Sequence, residues 1–201
     1  MGYPLGVVHI VYGDRPVQES AQLAAADGFV HLDAMADTPG DLALPLADRF
    51  AMRPTPGCTA GPAPHWTWER TVAAFRAAPG CRMEPHGRSC VNSNEAVLAM
   101  IDEVPGLRLT LDVGHVASWG GDPVELVPYA DHVQLRQARD GVVQSLDGNV
   151  DFAAVVARLR AVGYAGVLSV EYFDLPELGY PLEDPRGFAL EIAARVRPLL
   201  G

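Results

Sequence analysis

Residues 151–171, DFAAVVARLRAVGYAGVLSVE, carry a helix signal and a strand signal back to back, and that order decides the fold class. Asp151 can accept hydrogen bonds from the first free N–H groups of a helix. Phe152, Val155, Val156, Leu159 and Val162 then recur on one helical face, and Gly163 stands where the chain must leave it. The run VLSVE that follows is apolar and partly β-branched, as a buried strand requires. A helix leading at once into a buried strand is the repeating half of a βαβ arrangement, in which helices cover a parallel sheet.

The same alternation extends outward in both directions. Strands are expected over Gly6–Val11, Gly28–Leu32, Arg49–Met52, Arg82–Glu84, Leu107–Asp112, His132–Leu135 and Val167–Glu171. Between them, Asp14 and Pro16 open a first helix, and Thr67–Ala78 has helical spacing. Asn92 with Glu95 has the form of a capping box ahead of Val97, Leu98 and Ile101. Asp184 and Pro185 open a last helix with Phe188, Ile192, Val196 and Leu199 as its stripe. The segment Ala34–Pro64 is rich in Pro, Gly and Ala and shows no full helix. The expectation is therefore an α/β, TIM-barrel-like (βα) barrel in one domain over residues 1–201, shortened to about seven strands where the complete fold has eight. An open doubly wound sheet is the other arrangement of such units, but no GxGxxG or P-loop supports nucleotide binding.

Composition excludes several classes of function. Of the 201 residues, 49% are hydrophobic and 20% charged, which suits one packed core and argues against disorder. No run approaches the ~20 apolar residues of a membrane span, and the N-terminal segment turns polar too soon for a secretory signal. A cytoplasmic protein without membrane contact is expected. The net charge of −10 makes nucleic acid an improbable partner. The basic residues are all arginine, and without lysine a Schiff-base aldolase is excluded. Cys58, Cys81 and Cys90 are odd in number and lack CxxC spacing, so they are expected to be free thiols.

Chemistry-bearing residues gather at the strand ends. Glu84 ends one strand, Asp112 the next, Gln134 lies near the end of another, and Glu171 closes the last. In a parallel barrel these ends converge on one mouth, and three carboxylates there repel one another unless a cation neutralises them. His115, three residues after Asp112, and His86, two after Glu84, fall on the same mouth. Arg88 is a weaker candidate there. Arg136 and Arg139 follow Gln134 and have the planar fork that binds a carboxylate or phosphate on a substrate. His9, His31 and His65 read as structural, and Trp66, Trp68 and Trp119 as packing residues.

The second half, from CRMEPHGRS through LRLTLDVGH, ADHVQLRQARDG and GYAGVLSVEY, resembles the xylose isomerase-like TIM barrel superfamily of sugar isomerases and epimerases, which also holds the endonuclease IV-type enzymes. The DxGH element at Asp112–His115 and the GYxGxLxVE element ending at Glu171 carry the resemblance. It implies metal ligation by Glu84, Asp112, Gln134 and Glu171, with histidine in many members where this chain has Gln134. It also implies that Glu84 and Glu171 carry protons as catalytic residues, and that His115 holds a substrate oxygen. An all-oxygen set of ligands favours Mn²⁺ or Mg²⁺, with Co²⁺ or Zn²⁺ as alternatives. The resemblance thus implies an isomerase or epimerase that abstracts a proton beside a carbonyl of a small polyhydroxylated substrate. A lyase resembling the dehydroshikimate or inosose dehydratases shares the early steps. A nuclease would need further histidines and a basic face, which this chain lacks. A non-catalytic shortened barrel is the remaining alternative, and a lost unit would leave an edge for a homodimer to cover.

Overall fold

The structure, a computed structural model, describes residues 2–201. Eight parallel strands close into a barrel in chain order. They are β1 (Leu5–Val8), β2 (His31–Met35), β3 (Leu46–Phe50), β4 (Thr59–Ala60), β5 (Arg82–Met83), β6 (Arg108–Asp112), β7 (Ala130–Leu135) and β8 (Leu168–Val170). Closure is made where Leu5, Gly6 and Val7 of β1 run in register with Leu168, Ser169 and Val170 of β8. The helices are α1 (Val17–Ala26), α2 (Trp68–Arg76), α3 (Asn94–Glu103), α4 (Val113–Ser118), α5 (Pro123–Leu126), α6 (Phe152–Ala161) and α7 (Pro185–Leu200). None is long and apolar enough to cross a membrane, among the described residues.

The expectation of about seven strands is corrected to eight. The missed strand is β4, a two-residue segment between Cys58 and Gly61 that is too short to show any pattern. Its pairing is thin but continuous: Thr59 faces Phe50 of β3 on one side and Arg82 of β5 on the other. What the chain omits is the helices after β2 and β3, where loops 36–45 and 51–58 connect the strands directly. That economy accommodates a closed barrel in 201 residues, against ~250 in a typical one. Closure also removes the free strand edge that was the reason to expect a covering second subunit, and the lost unit that suggested a degenerate barrel.

Other boundaries move for local reasons. The first strand ends at Val8, and His9–Tyr12 form a 3₁₀ turn. The second strand begins at His31 rather than Gly28, because Gly28 takes φ +81° in leaving α1. The third is Leu46–Phe50, not Arg49–Met52. Asp14 caps nothing; α1 starts after Pro16 without a side-chain cap. The cap of α3 is Ser93 rather than Asn92, its hydroxyl accepting from the Ala96 N–H at 3.1 Å. Asp151 and Asp184 cap α6 and α7 as expected.

Strand alternation turns every second side chain inward, and here the inward set is polar. Behind the mouth, Asp48 Oδ2 accepts from Thr59 Oγ1 at 2.7 Å, and Thr59 bonds Thr110 across the barrel at 2.6 Å. Arg82 pairs with Asp48, and His132 meets Asp33 at 2.7 Å from the opposite wall. The apolar residues lie between strands and helices, with Leu32, Met83, Leu109, Leu111, Leu135 and Leu168 at the centre of the core. Asp48→Ala leaves the Arg82 cation and two hydroxyls without their acceptor. The substitution is expected to lower the unfolding free energy by about 3 kcal/mol in urea titrations, and a loss below about 1 kcal/mol would show that the network is dispensable.

Candidate active site at the barrel mouth

Asp112 is both the last residue of β6 and the cap of α4. Its Oδ1 accepts from the backbone N–H groups of Gly114 (2.7 Å) and His115 (3.2 Å). This local arrangement folds His115 back over the mouth, with Nε2 lying 3.8 Å from both Asp112 Oδ2 and Glu84 Oε1. Glu84 continues β5, its N–H donating to the Ala60 carbonyl at 3.1 Å. Glu171 continues β8 in the same way, donating to Leu135 at 3.2 Å. Gln134 points inward from β7 fully buried, and neither atom of its amide has a hydrogen-bond partner.

Arg136 lies among these groups. It is 0% exposed. One guanidinium nitrogen bonds Asp112 Oδ2, another lies 3.7 Å from Glu171 Oε2, and the group stacks on Phe173 with 4.9 Å to the ring centre. Gly114 provides the room, since a Cβ there would stand 2.8 Å from Arg136 Nε.

The charges shift one another. Burial, reinforced by the Asp112 charge and partly relieved by Arg136, pushes Glu84 up to about 8. Burial likewise holds Glu171 well above the usual carboxylate range, against the pull of Arg136. Asp112 stays below its ordinary value: burial opposes ionisation, but Arg136, His115 and the capping N–H outweigh it. Burial lowers His115 to about 3, so its imidazole is neutral despite the neighbouring Asp112.

Of the residues expected from the sequence, the structure gathers Glu84, Asp112, Gln134, Glu171, His115 and Arg136 at this mouth. His86 stands at its rim, Nε2 donating to the Pro62 carbonyl at 2.8 Å and its ring centre 5.9 Å from that of His115. His86 and Phe173, with Pro64, Leu175, Leu178 and Tyr180, line an apolar cavity of about 290 Å³ beside the charged floor. Arg88 donates to the Leu178 carbonyl at 2.9 Å and steadies this wall. Arg139 is not brought in: it is exposed, its backbone turning back to bond Val142. Trp66, Trp68 and Trp119 face Arg70, Glu103 and Asn94 instead. A larger cleft among Tyr3, Gly28, Arg197 and Leu200 lies at the other end of the barrel.

Two features were missed in the sequence. His115 joins Glu84 and Asp112 in a group whose ligand atoms lie within 4.8 Å of one another, so it is a candidate metal ligand as well as a substrate contact. Arg136, expected only as a contact to an anionic substrate group, lies buried in the floor of the site against two carboxylates. Period-two reading of HVQLR, which sets His132, Gln134 and Arg136 on one face, carried the second signal.

Residues 43–194 match the family model described as xylose isomerase-like TIM barrel. The fold is shared with an L-ribulose 3-epimerase, at TM-score 0.70 and 17% identity, covering 100% of this chain and 95% of that one. It is shared with D-allulose 3-epimerase from Methylomonas sp., at TM-score 0.66 and 19% identity, over 100% of both chains. It is shared also with the IOLI protein bearing a zinc atom, at TM-score 0.69 and 13% identity, over 100% of this chain and 99% of that one. At such identities the likeness is one of fold. No match appears among curated proteins.

A raised Glu84 has a consequence for stability. Its carboxyl binds a proton more tightly folded than unfolded, so folding is favoured most below about 4.5 and loses that contribution as pH climbs toward about 8. Chelator-treated wild type is expected to lose thermal stability across this window relative to Glu84→Gln. Parallel profiles for the two proteins would contradict the shift.

Proposed function

The chain belongs to the xylose isomerase-like TIM barrel family, and on that premise we propose that it is a divalent-metal-dependent isomerase or epimerase that removes a proton beside a carbonyl. The observation carrying this reading is the convergence of Glu84, Asp112 and Glu171 on one mouth with a single guanidinium among them. With all three ionised, two negative charges are uncompensated. The partnerless Gln134 amide faces the same space, and His115 is neutral. These residues fit a divalent cation. Glu84, Asp112, Gln134 and Glu171 would hold it through oxygen, which suits Mn²⁺ or Mg²⁺. His115 adds a nitrogen that also admits Zn²⁺ or Co²⁺, and zinc is the metal in the similar IOLI protein.

A bound divalent ion would polarise the substrate carbonyl and stabilise negative charge on its oxygen as the proton leaves. The proton itself is the work of Glu84 and Glu171, which stand on β5 and β8. Burial holds both carboxyls above the ordinary range, Glu84 at about 8, and a bound cation would draw both back down, so either can take and return a proton with less energetic mismatch than a solvated carboxylate. One glutamate removes the proton, and the other returns one on the opposite face or at the neighbouring carbon. His115, held neutral and placed by its backbone N–H on Asp112 Oδ1, would present a ring nitrogen to a substrate hydroxyl. His86 and Phe173 exclude water from one side. A small polyhydroxylated carbonyl compound fits this chemistry, and sugar 3-epimerases are among the proteins that share the fold.

Thermal unfolding of chelator-stripped protein tests the reading. Mn²⁺ at a hundredfold excess over Kd is expected to stabilise the wild type by about 2.7 kcal/mol, a rise of roughly 5–10 °C. Glu171→Gln is expected to lose most of that rise. Solvent deuterium should then enter candidate sugars at the carbon beside the carbonyl only with Mn²⁺ present. No response of the wild type to Mn²⁺, Mg²⁺, Co²⁺ or Zn²⁺ would refute the metal site.

A further inference from the structure

Arg136 is unusual among the cations inside this barrel. Arg82, half-buried on the far side of the barrel interior from the mouth, is matched by Asp48 and Thr59, and the buried His132 by Asp33. Arg136 instead leaves Nε and Nη1 without hydrogen bonds while 0% exposed, and the neighbouring Gln134 amide and Glu171 Oε2 are unbonded as well. A buried guanidinium that only served the fold would have its donors satisfied. Its contacts, Asp112 Oδ2 and Glu171 Oε2, are two of the oxygens that the metal-site reading needs as ligands. A guanidinium seated against both Asp112 Oδ2 and Glu171 Oε2 takes up the space in which one ion would reach the two oxygens, and its charge repels that ion.

We propose that Arg136 is an internal counter-cation that holds the cation seat, so that a divalent ion binds only as the guanidinium is displaced from Asp112 and Glu171. This rests on the metal-site reading and adds a competitor to it. Gly114 leaves the space that the Arg136 side chain fills, and the guanidinium already lies on the Phe173 ring, a π contact it can keep while leaving the carboxylates. Phe173 also lines the apolar cavity at the rim, so a guanidinium that leaves the carboxylates but keeps this ring stays beside the cavity, where it can meet an anionic group of a substrate. Apparent metal affinity is then the intrinsic affinity reduced by the fraction of molecules in which the seat is free.

Two variants separate this exchange from simple repulsion. Arg136→Met removes the charge, and would tighten Mn²⁺ binding through lost repulsion alone. Gly114→Ala keeps every charge and removes only the seat, because its Cβ would press to 2.8 Å on Arg136 Nε and 3.1 Å on its Cβ. Binding is read from the electron paramagnetic resonance signal of free Mn²⁺, with circular dichroism to establish that each variant is folded. Both variants are expected to bind Mn²⁺ at least tenfold more tightly than wild type. If Arg136→Met does not fold, Gly114→Ala alone decides. Wild-type affinity, or weaker, in Gly114→Ala overturns the proposal while leaving the metal site intact. Failure of wild type and variants alike to bind millimolar Mn²⁺ overturns both readings.

Discussion

The guanidinium of Arg136 against the carboxylates of Asp112 and Glu171 is the contact on which the mouth of this barrel depends. Parallel strands with inward side chains at every second position bring Glu84, Asp112 and Glu171 into one buried space, where their charges repel and water cannot screen them. One arginine relieves part of that repulsion. Burial first, and then the remaining repulsion, raise Glu84 and Glu171, and several buried polar atoms are left without partners. A site with this imbalance favours positive charge, as the raised proton affinity of its glutamates shows. The same burial that costs the fold stability locally is what raises the proton affinity of Glu84 and Glu171, the property on which the proposed proton transfer rests.

The rest of the interior is arranged to tolerate this. Below the mouth, Asp48, Thr59, Thr110 and Arg82 bond one another and His132 bonds Asp33 Oδ2, so the charges there are paired, unlike the carboxylates of the mouth. The outer shell is reduced where chemistry does not need it. Strands β2 and β3 are followed by loops, while β5, β6, β7 and β8, which carry or adjoin Glu84, Asp112, Gln134 and Glu171, are each followed by a helix. The barrel thus saves chain length on the side away from the strands that carry the acidic mouth.

Much of this was legible in the sequence, because the signals that carry it are local. The α6–β8 unit, the caps at Asp151 and Asp184 and the four acidic or amide strand ends depend on spacing within about ten residues. Strand β4 was not legible, since two residues have no periodicity and the segment is defined by neighbours 9 and 23 positions away, Phe50 and Arg82. The inner network was hidden for a different reason. Apolar runs were taken as the mark of a strand, whereas HLD in β2 and LAD in β3 place charges inside the barrel. The place of Arg136 depends on Gly114, 22 residues earlier in the chain, and on the cumulative charge of three other strands. Only the assembled barrel brings those terms together.

Anomalous diffraction at the manganese edge from crystals equilibrated with Mn²⁺ addresses the central claim most directly. The account expects one strong peak at the mouth, with oxygens of Glu84, Asp112 and Glu171 at roughly 2.2 Å, the Gln134 amide oxygen turned toward it, and the Arg136 guanidinium moved off Asp112. A mouth without a manganese peak, with Arg136 still bonded to Asp112 at saturating Mn²⁺, would contradict it.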